Sequence, residues 1–158
     1  MKFEEKPAAY ALISGSAGYP ELKGRVDFYD TFGGTVVAAA VHGITDAQGK
    51  ASQSFHGFHV HGGKACTGTE KEPYANADGH YNPQNTMHPD HAGDLPALLS
   101  CDGSAWMMVY TNRFYPEEVI GKTVILHGKP DDFHTQPSGN SGEMIACGQI
   151  VPWETQEK

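Results

Sequence analysis

Short runs of strand-forming residues, each followed by Gly, Pro, Asn or Asp, limit the fold of this chain more than any other feature. Several runs alternate apolar and polar side chains, and no longer window has the 3.6-residue period of an amphipathic helix. The runs predict strands at residues 8–14, 24–29, 35–42, 54–61, 105–111, 123–127 and 144–151. About seven or eight short strands separated by turns favour an antiparallel β-sandwich or β-barrel.

Length and charge limit the class of protein. The 158 residues suit one domain, spanning residues 1–158. Nineteen acidic against eleven basic residues give a formal net charge of −8, which argues against a nucleic-acid partner. No apolar stretch approaches the roughly 20 residues of a membrane-spanning helix, so no membrane partner is expected. Residues 1–6 lack the order of a signal peptide, and we therefore expect a cytoplasmic protein, or an exported one already processed.

Two polar segments, residues 62–93 and 128–143, are too long to be simple turns. Compact domains rarely keep loops beyond about 12–15 residues unless a function or an added constraint holds them. We therefore expect these loops to carry the function. A shorter interruption at residues 116–118 predicts a turn before the strand at 123–127.

The first chemical signal is the sequence His59-Val60-His61 at the end of a predicted strand. Alternate residues of a strand project from the same face, so both imidazoles should point one way while Val60 points into the core. Two neighbouring imidazoles on a rigid strand are a natural half of a transition-metal site. The pattern alone is weak, because histidines are also common as surface or core residues.

The long loop strengthens this signal with His80, His88, His91 and Asp94, and His127 ends a further predicted strand. Three imidazoles and one carboxylate are able to fill a tetrahedral zinc shell, and such a site would fix a loop that has no core of its own. The alternative is a set of surface histidines in polar loops. It explains any single residue well and the whole set poorly.

Five motifs carry a resemblance to a known family: residues 57–61 (GFHVH), 79–83 (GHYNP), 93–95 (GDL), 121–127 (GKTVILH) and 146–148 (ACG). In this order, from about residue 8 to residue 150, the chain resembles the copper/zinc superoxide dismutase family. The resemblance implies an all-β fold, an eight-stranded antiparallel Greek-key β-sandwich of immunoglobulin-like type whose long loops bind copper and zinc. It also implies superoxide as the substrate, converted to O₂ and H₂O₂.

By position, the resemblance also implies the site residues. The implied copper ligands are His59, His61, His80 and His127. The implied zinc ligands are His80, His88, His91 and Asp94, so His80 bridges the two metals. Asp131 matches the family's carboxylate that links His59 to His88, and His56 matches a structural histidine that supports the site by hydrogen bonding. His42 and His134 match nothing.

The resemblance further implies a disulfide between Cys66 and Cys147, which would tie the long loop to the last strand. Closing roughly 80 residues contributes about 2–4 kcal/mol. Cys101 is then a free thiol. Three reduced cysteines are the alternative, because a reducing cytosol disfavours disulfides.

The chain departs from the family at the pocket mouth. Met144 stands where the family has its active-site arginine, and Glu143 precedes it. Residues 131–140 contain no Lys or Arg, which leaves Lys64, Lys71 and Lys129 as the nearby cations. Because that arginine attracts and docks superoxide, we expect a dismutase with impaired and less salt-sensitive activity.

Two other functions remain for such a chain. A non-enzymatic module that binds copper and zinc would tolerate Met144 and Glu143. An adhesion sandwich explains none of the His and Asp spacing. The resemblance also allows a homodimer, although the sequence does not identify the dimer face.

Overall fold

The computed structural model of the protein describes residues 6–154. Its strands are β1 (Ala9–Gly15), β2 (Lys23–Thr31), β3 (Gly34–His42), β4 (Phe55–His56), β5 (Phe58–His61), β6 (Leu98–Cys101), β7 (Ser104–Thr111), β8 (Thr123–His127) and β9 (Met144–Pro152). A 3-10 turn at Ala75–Ala77 and a one-turn helix α1 (Pro116–Val119) complete the regular structure of this part of the chain. The all-β prediction is confirmed.

All the strands form one antiparallel sheet in the order β4-β6-β7-β3-β2-β1-β9-β8-β5. β4 and β5 lie at opposite ends of this order, although only Gly57 separates them in the chain. The two edges of the sheet must therefore meet, and the sheet curls into a nearly closed Greek-key barrel. Closure leaves little strand edge open to other chains.

The count of nine strands differs from the expected eight because the run at 54–61 is divided at Gly57. On one side of this glycine, Phe55 pairs with Leu99, and on the other Phe58 pairs with Leu126. A Cβ atom at Gly57 would collide with the side chain of Ser141, so the loop at 128–143 packs against this point. The strand β6 was not predicted, because four residues carry too little alternation.

The turn predicted at 116–118 is helical. Pro116 occupies the first turn of α1, where its missing N–H costs nothing, and the Glu118 carboxylate accepts a hydrogen bond from the Tyr115 N–H at 2.6 Å.

The barrel interior is filled by alternate residues of facing strands. Phe28 from β2, Val37 from β3, Val60 from β5, Leu126 from β8 and Ile150 from β9 are all fully buried in one cluster. The prediction that Val60 points into the core is confirmed. Because β5 and β8 are anchored in this way, their polar ends are fixed in position.

Within residues 6–154, the structure has no helix long and apolar enough to cross a bilayer. The signal-peptide expectation depends on residues that are mostly outside this range, since residues 1–5 are not described.

Candidate metal centre

The ends of β5 and β8 bring three histidines together. The ring centroids of His59 and His127 are 4.9 Å apart, and those of His61 and His127 are 5.6 Å apart. β5 and β8 pair directly, and a register shift between Leu126 and His127 interrupts the β8–β9 ladder at this point. Two neighbouring strands thus provide three of the four imidazoles that the family resemblance assigned to copper.

His80 joins them from the long loop. Its ring centroid lies 4.0 Å from that of His59 and 4.9 Å from that of His61. Backbone hydrogen bonds attach the loop to β5 on both sides of His80: the Gly62 N–H donates to Gly79 O and the Tyr81 N–H donates to Val60 O, both at 2.8 Å. One ligand atom from each of His59, His61, His80 and His127 lies within 4.8 Å of the others, and this set is called the first cluster.

The remaining loop residues form a second cluster that also contains His80. It consists of His80, His88, His91 and Asp94, again with one ligand atom of each within 4.8 Å of the others. The Asp94 carboxylate lies 2.7 Å from His80 Nδ1, 3.0 Å from His88 Nδ1 and 3.2 Å from His91 Nδ1. His91 Nδ1 is 3.3 Å from His80 Nδ1. Three imidazole nitrogens therefore converge on one carboxylate.

Five buried imidazole nitrogens in these clusters make no hydrogen bond within the described residues: His59 Nδ1, His61 Nε2, His80 Nε2, His88 Nδ1 and His127 Nε2. Burying a polar atom without a partner costs about 1–3 kcal/mol, and five such atoms in one place need an explanation. His88 Nδ1 is close to Asp94 but without hydrogen-bond geometry. A metal ion in each cluster would satisfy all five, so the residues fit the metals.

In His61 and His127, the hydrogen bond made by one ring nitrogen determines that the other nitrogen carries a lone pair. The N–H at Nδ1 of His61 donates to the Asp78 carbonyl at 2.6 Å, and that of His127 donates to the Gly142 carbonyl at 3.1 Å. A carbonyl oxygen only accepts, so the proton must be on Nδ1 and the Nε2 lone pair faces the first cluster. These two carbonyl groups were not predictable from the sequence, because backbone acceptors have no side-chain signature.

Asp131 links the two clusters. One carboxylate oxygen accepts from His59 Nε2 at 2.7 Å and the other accepts from His88 Nε2 at 2.9 Å. Burial alone would raise the pKa of Asp131, but the hydrogen bonds from His59, His88 and the Phe133 N–H outweigh burial and lower it well below the ordinary value. The ionised carboxylate therefore orients both imidazoles, with their Nδ1 atoms turned towards the clusters.

Burial favours the neutral form of four cluster imidazoles, those of His59, His61, His91 and His127. Burial, together with neighbouring imidazoles, lowers the pKa of His61 well below its ordinary value. Burial, reinforced by His59, lowers the pKa of His127 to about 3. Burial also lowers the pKa of His59 and His91. Neutral imidazole is the form that binds metal ions, so these four side chains do not have to lose an imidazolium proton before they bind a metal at neutral pH.

The other histidines lie outside both clusters. His56 is buried, with Nδ1 2.9 Å from the His127 carbonyl and Nε2 2.9 Å from Ser52 Oγ. It braces the backbone of a cluster residue, which is the supporting position that the family resemblance implied. His42 is exposed on β3, and His134 is exposed beside Asp132.

The disulfide prediction is confirmed. Cys66 and Cys147 are joined across a sequence separation of 81 residues, and Cys101 is exposed and free. The alternative of three reduced cysteines is therefore wrong. The bridge packs with Tyr74, Ile125 and Met144, and it fastens the start of the long loop to β9.

A pocket of about 420 Å³ opens over the first cluster. Its wall includes three histidines of the first cluster, together with Pro137, Ser138 and Met144. Met144 pairs with His127 across the β8–β9 ladder, and its side chain lines this pocket. Of the described residues that line this pocket, one is acidic, Asp78, and none is Lys or Arg.

A second cavity of about 490 Å³ adjoins the first, and Asp78, Gly142 and Met144 belong to both. Lys71 and Glu143 line this outer cavity. One of the lysines predicted from sequence, Lys71, therefore lies in the approach to the pocket, where Glu72, Asp78 and Glu143 accompany it.

A nearly closed antiparallel barrel whose loops bring together two histidine clusters, with one imidazole common to both, defines a class of metalloproteins with a binuclear centre. The sequence profile of the family described as copper/zinc superoxide dismutase (SODC) matches residues 22–150, and the chain belongs to this family. Copper and zinc are the metals of the family, and the two clusters are able to hold them.

The relatives agree with this assignment. The chain is 28% identical over 166 residues to the second copper/zinc superoxide dismutase of Aquifex aeolicus, an alignment that covers 94% of this chain and 89% of the relative. It is 32% identical over 111 residues to the Deinococcus radiodurans copper/zinc superoxide dismutase, covering 59% of this chain and 61% of that protein. The solved copper/zinc superoxide dismutase from Brucella abortus superposes with a TM-score of 0.74 at 26% identity, covering 89% of this chain and 98% of the other.

Proposed function

We propose that this protein is a superoxide dismutase that converts two superoxide ions and two protons into O₂ and H₂O₂. The proposed copper ligands are His59, His61, His80 and His127. The proposed zinc ligands are His80, His88, His91 and Asp94. An all-imidazole set favours copper(II), and three imidazoles with one carboxylate suit zinc.

The convergence of the unpartnered imidazole nitrogens supports this proposal more than any other observation. Four of them belong to the four residues of the first cluster, and the fifth belongs to His88 in the second. His80 presents Nδ1 to Asp94 and leaves Nε2 without a partner, so one side chain serves both clusters.

Bound copper would supply the one-electron redox change that oxidises one superoxide and reduces the next. The chain's own residues hold the geometry. Asp131 holds the rings of His59 and His88 in fixed orientations. The Asp78 carbonyl keeps the Nε2 lone pair of His61 directed at the first cluster. Pro137 and Met144 form part of the pocket wall over the first cluster.

We further propose that electrostatic attraction of superoxide is weak in this protein. The substrate is an anion, the formal net charge of the chain is −8, and the carboxylate of Asp78 lies in the pocket wall. Because salt screens repulsion as well as attraction, the rate should change little with ionic strength and should not fall as salt is added.

The test is the decay of superoxide, followed by stopped flow with protein loaded with copper and zinc. We expect decay well above that of metal-free protein, with less than a twofold change between about 0.01 M and 0.15 M ionic strength. His127→Ala should abolish the activity. The matched control His42→Ala, which removes an exposed histidine outside both clusters, should retain it. Superoxide decay no faster than with metal-free protein would show that the protein is not a superoxide dismutase.

A second candidate is a module that binds copper and zinc without catalysis. It is favoured by the pocket wall, which carries Met144 and Asp78 and no cation among its described residues. The two functions separate in one experiment. Protein that binds both metals with full occupancy, yet leaves superoxide decay at the metal-free rate, would be the binding module.

A further inference from the structure

The turn from residue 88 to residue 91 carries two residues of the second cluster but little regular structure. His88 and His91 are its ends, and Pro89 and Asp90 lie between them. Its local backbone hydrogen bonds run from the Asp90 N–H to Met87 O at 2.7 Å and from the Asp94 N–H to His91 O at 3.1 Å. Neither bond holds the backbone of His88, so contacts from elsewhere must fix that residue.

Gln136, in the second loop, makes these contacts. Its Oε1 accepts a hydrogen bond from the His88 N–H at 2.9 Å, and its Nε2 donates to His88 O at 2.7 Å. One side-chain amide thus satisfies both backbone groups of a single residue, as a neighbouring strand would. The next two residues, Pro137 and Ser138, belong to the wall of the pocket over the first cluster.

Arg113, which follows β7, holds the other end of the turn. Its Nη1 donates to Pro89 O at 2.8 Å and to His91 O at 3.1 Å. Its Nη2 lies 3.6 Å from the Asp90 carboxylate. The planar guanidinium is suited to binding several acceptors at once, and the single ammonium of a lysine is not.

We propose that Gln136 and Arg113 are positioning residues that clamp the turn at 88–91, so that the imidazoles of His88 and His91 meet His80 and Asp94 before a metal ion binds. The clamp rests on the proposed zinc cluster and is independent of any reaction with superoxide. Removing outer partners of metal ligands typically weakens metal binding by about 10- to 100-fold. Loosening the clamp should therefore cost metal affinity without removing a ligand.

The test measures cobalt(II) binding to the metal-free protein by competition with a chelator, together with the visible spectrum of bound cobalt, because zinc itself has no such spectrum. Gln136→Glu keeps the length of the side chain and the oxygen that faces the His88 N–H, but removes the Nε2 donor. Arg113→Lys keeps the positive charge but replaces the planar guanidinium, which binds several acceptors, by a single ammonium group. We expect each variant to bind cobalt at least about tenfold more weakly and to shift the tetrahedral spectrum.

Gln149→Glu is the matched control, because Gln149 Nε2 also donates to a backbone carbonyl of the long loop, that of Lys64 at 2.9 Å. It should bind cobalt like the unmodified protein. Thermal unfolding of the metal-free variants identifies any that fail to fold, and if Gln136→Glu does so, Arg113→Lys decides the result.

Two outcomes overturn the clamp. Either the folded clamp variants bind cobalt within about twofold of the unmodified protein and with the same spectrum, or Gln149→Glu loses as much affinity as they do. Failure of the unmodified protein to bind cobalt would instead count against the zinc cluster itself. The clamp and the proposed function are thus tested separately.

Discussion

Met144 shows how far one side chain can alter the proposed chemistry. It lies in the pocket wall, opposite His127 in the β8–β9 ladder, and packs partly against Tyr74 and the disulfide. A thioether offers neither charge nor a hydrogen-bond donor to an anion. Superoxide would therefore enter this pocket without a docking cation, whereas the cluster histidines behind it are intact.

Replacing Met144 by arginine should restore attraction and docking. We expect Met144→Arg to raise the second-order rate of superoxide decay by about tenfold and to make it fall as salt is added, since steered encounter is salt-sensitive. Leu12→Arg, which adds the same charge at an exposed position on β1, should leave the rate unchanged. Equal rates for Met144→Arg and the unmodified protein would mean that the side chain does not face the incoming substrate.

Among the larger elements, the loop at 128–143 holds the two clusters in position relative to each other through Asp131, which bonds a histidine of each. Gly139 has a φ of +70° in this loop, and its N–H donates to Thr135 O at 2.7 Å. A Cβ atom there would lie 2.7 Å from His88 Nε2 and would collide with the Asp131 carboxylate. The loop approaches the Asp131–His88 hydrogen bond so closely that only glycine fits.

Gly139→Ala should therefore damage both stability and metal binding. Gly121→Ala is its matched control, because Gly121 also has a positive φ, +85°, but open space around its Cβ position. Backbone strain alone costs about 1–2 kcal/mol, which is what we expect for the control in urea unfolding. Gly139→Ala should cost more and should also weaken zinc binding by roughly tenfold. Equal losses of stability and unchanged zinc affinity would show that the loop simply moves aside.

The disulfide fastens the other long loop, at residues 62–93, to β9. Because it closes 81 residues of sequence, reducing it should lower the free energy of unfolding of the metal-free protein by about 2–4 kcal/mol. Urea unfolding with and without reductant measures this difference, and Cys147→Ser should reproduce it. Cys101→Ser, at an exposed free thiol, should change nothing. No effect of reductant would mean that packing alone holds the long loop.

For the molecule as a whole, the outer face of the sheet carries an apolar patch. Phe55, Leu99, Trp106, Met108 and Tyr110 point outwards from the neighbouring strands β4, β6 and β7, and Trp106 is 71% exposed. Among the described outward-facing residues of these three strands, none is charged, although the formal net charge of the chain is −8. Two copies that repel each other elsewhere meet most easily on such a face.

We therefore expect a homodimer that uses this patch. Sedimentation velocity should show dimers of the unmodified protein and monomers of Trp106→Lys, because a buried ammonium without a partner disrupts an apolar interface. Leu12→Lys, at an exposed apolar residue outside the patch, should remain dimeric. A monomer at every protein concentration would rule out this interface.

Seven strand-forming runs, the metal-site motifs and the family were predictable from the sequence alone. Alternation of side chains is a local property, so the strands and the inward direction of Val60 were predictable, and the His and Asp spacing carried the resemblance. The strand break at Gly57 was not predictable, because it depends on Ser141, distant in the chain.

The support of the two clusters was not predictable from the sequence. The supporting contacts join residues far apart in sequence: the carbonyls of Asp78 and Gly142 with two cluster histidines, and Gln136 and Arg113 with the turn at 88–91. A backbone acceptor is the same in every residue, so no residue type marks it in the sequence. The sequence specifies which side chains are present. Which backbone groups they bond depends on distant segments that come together only when the barrel closes.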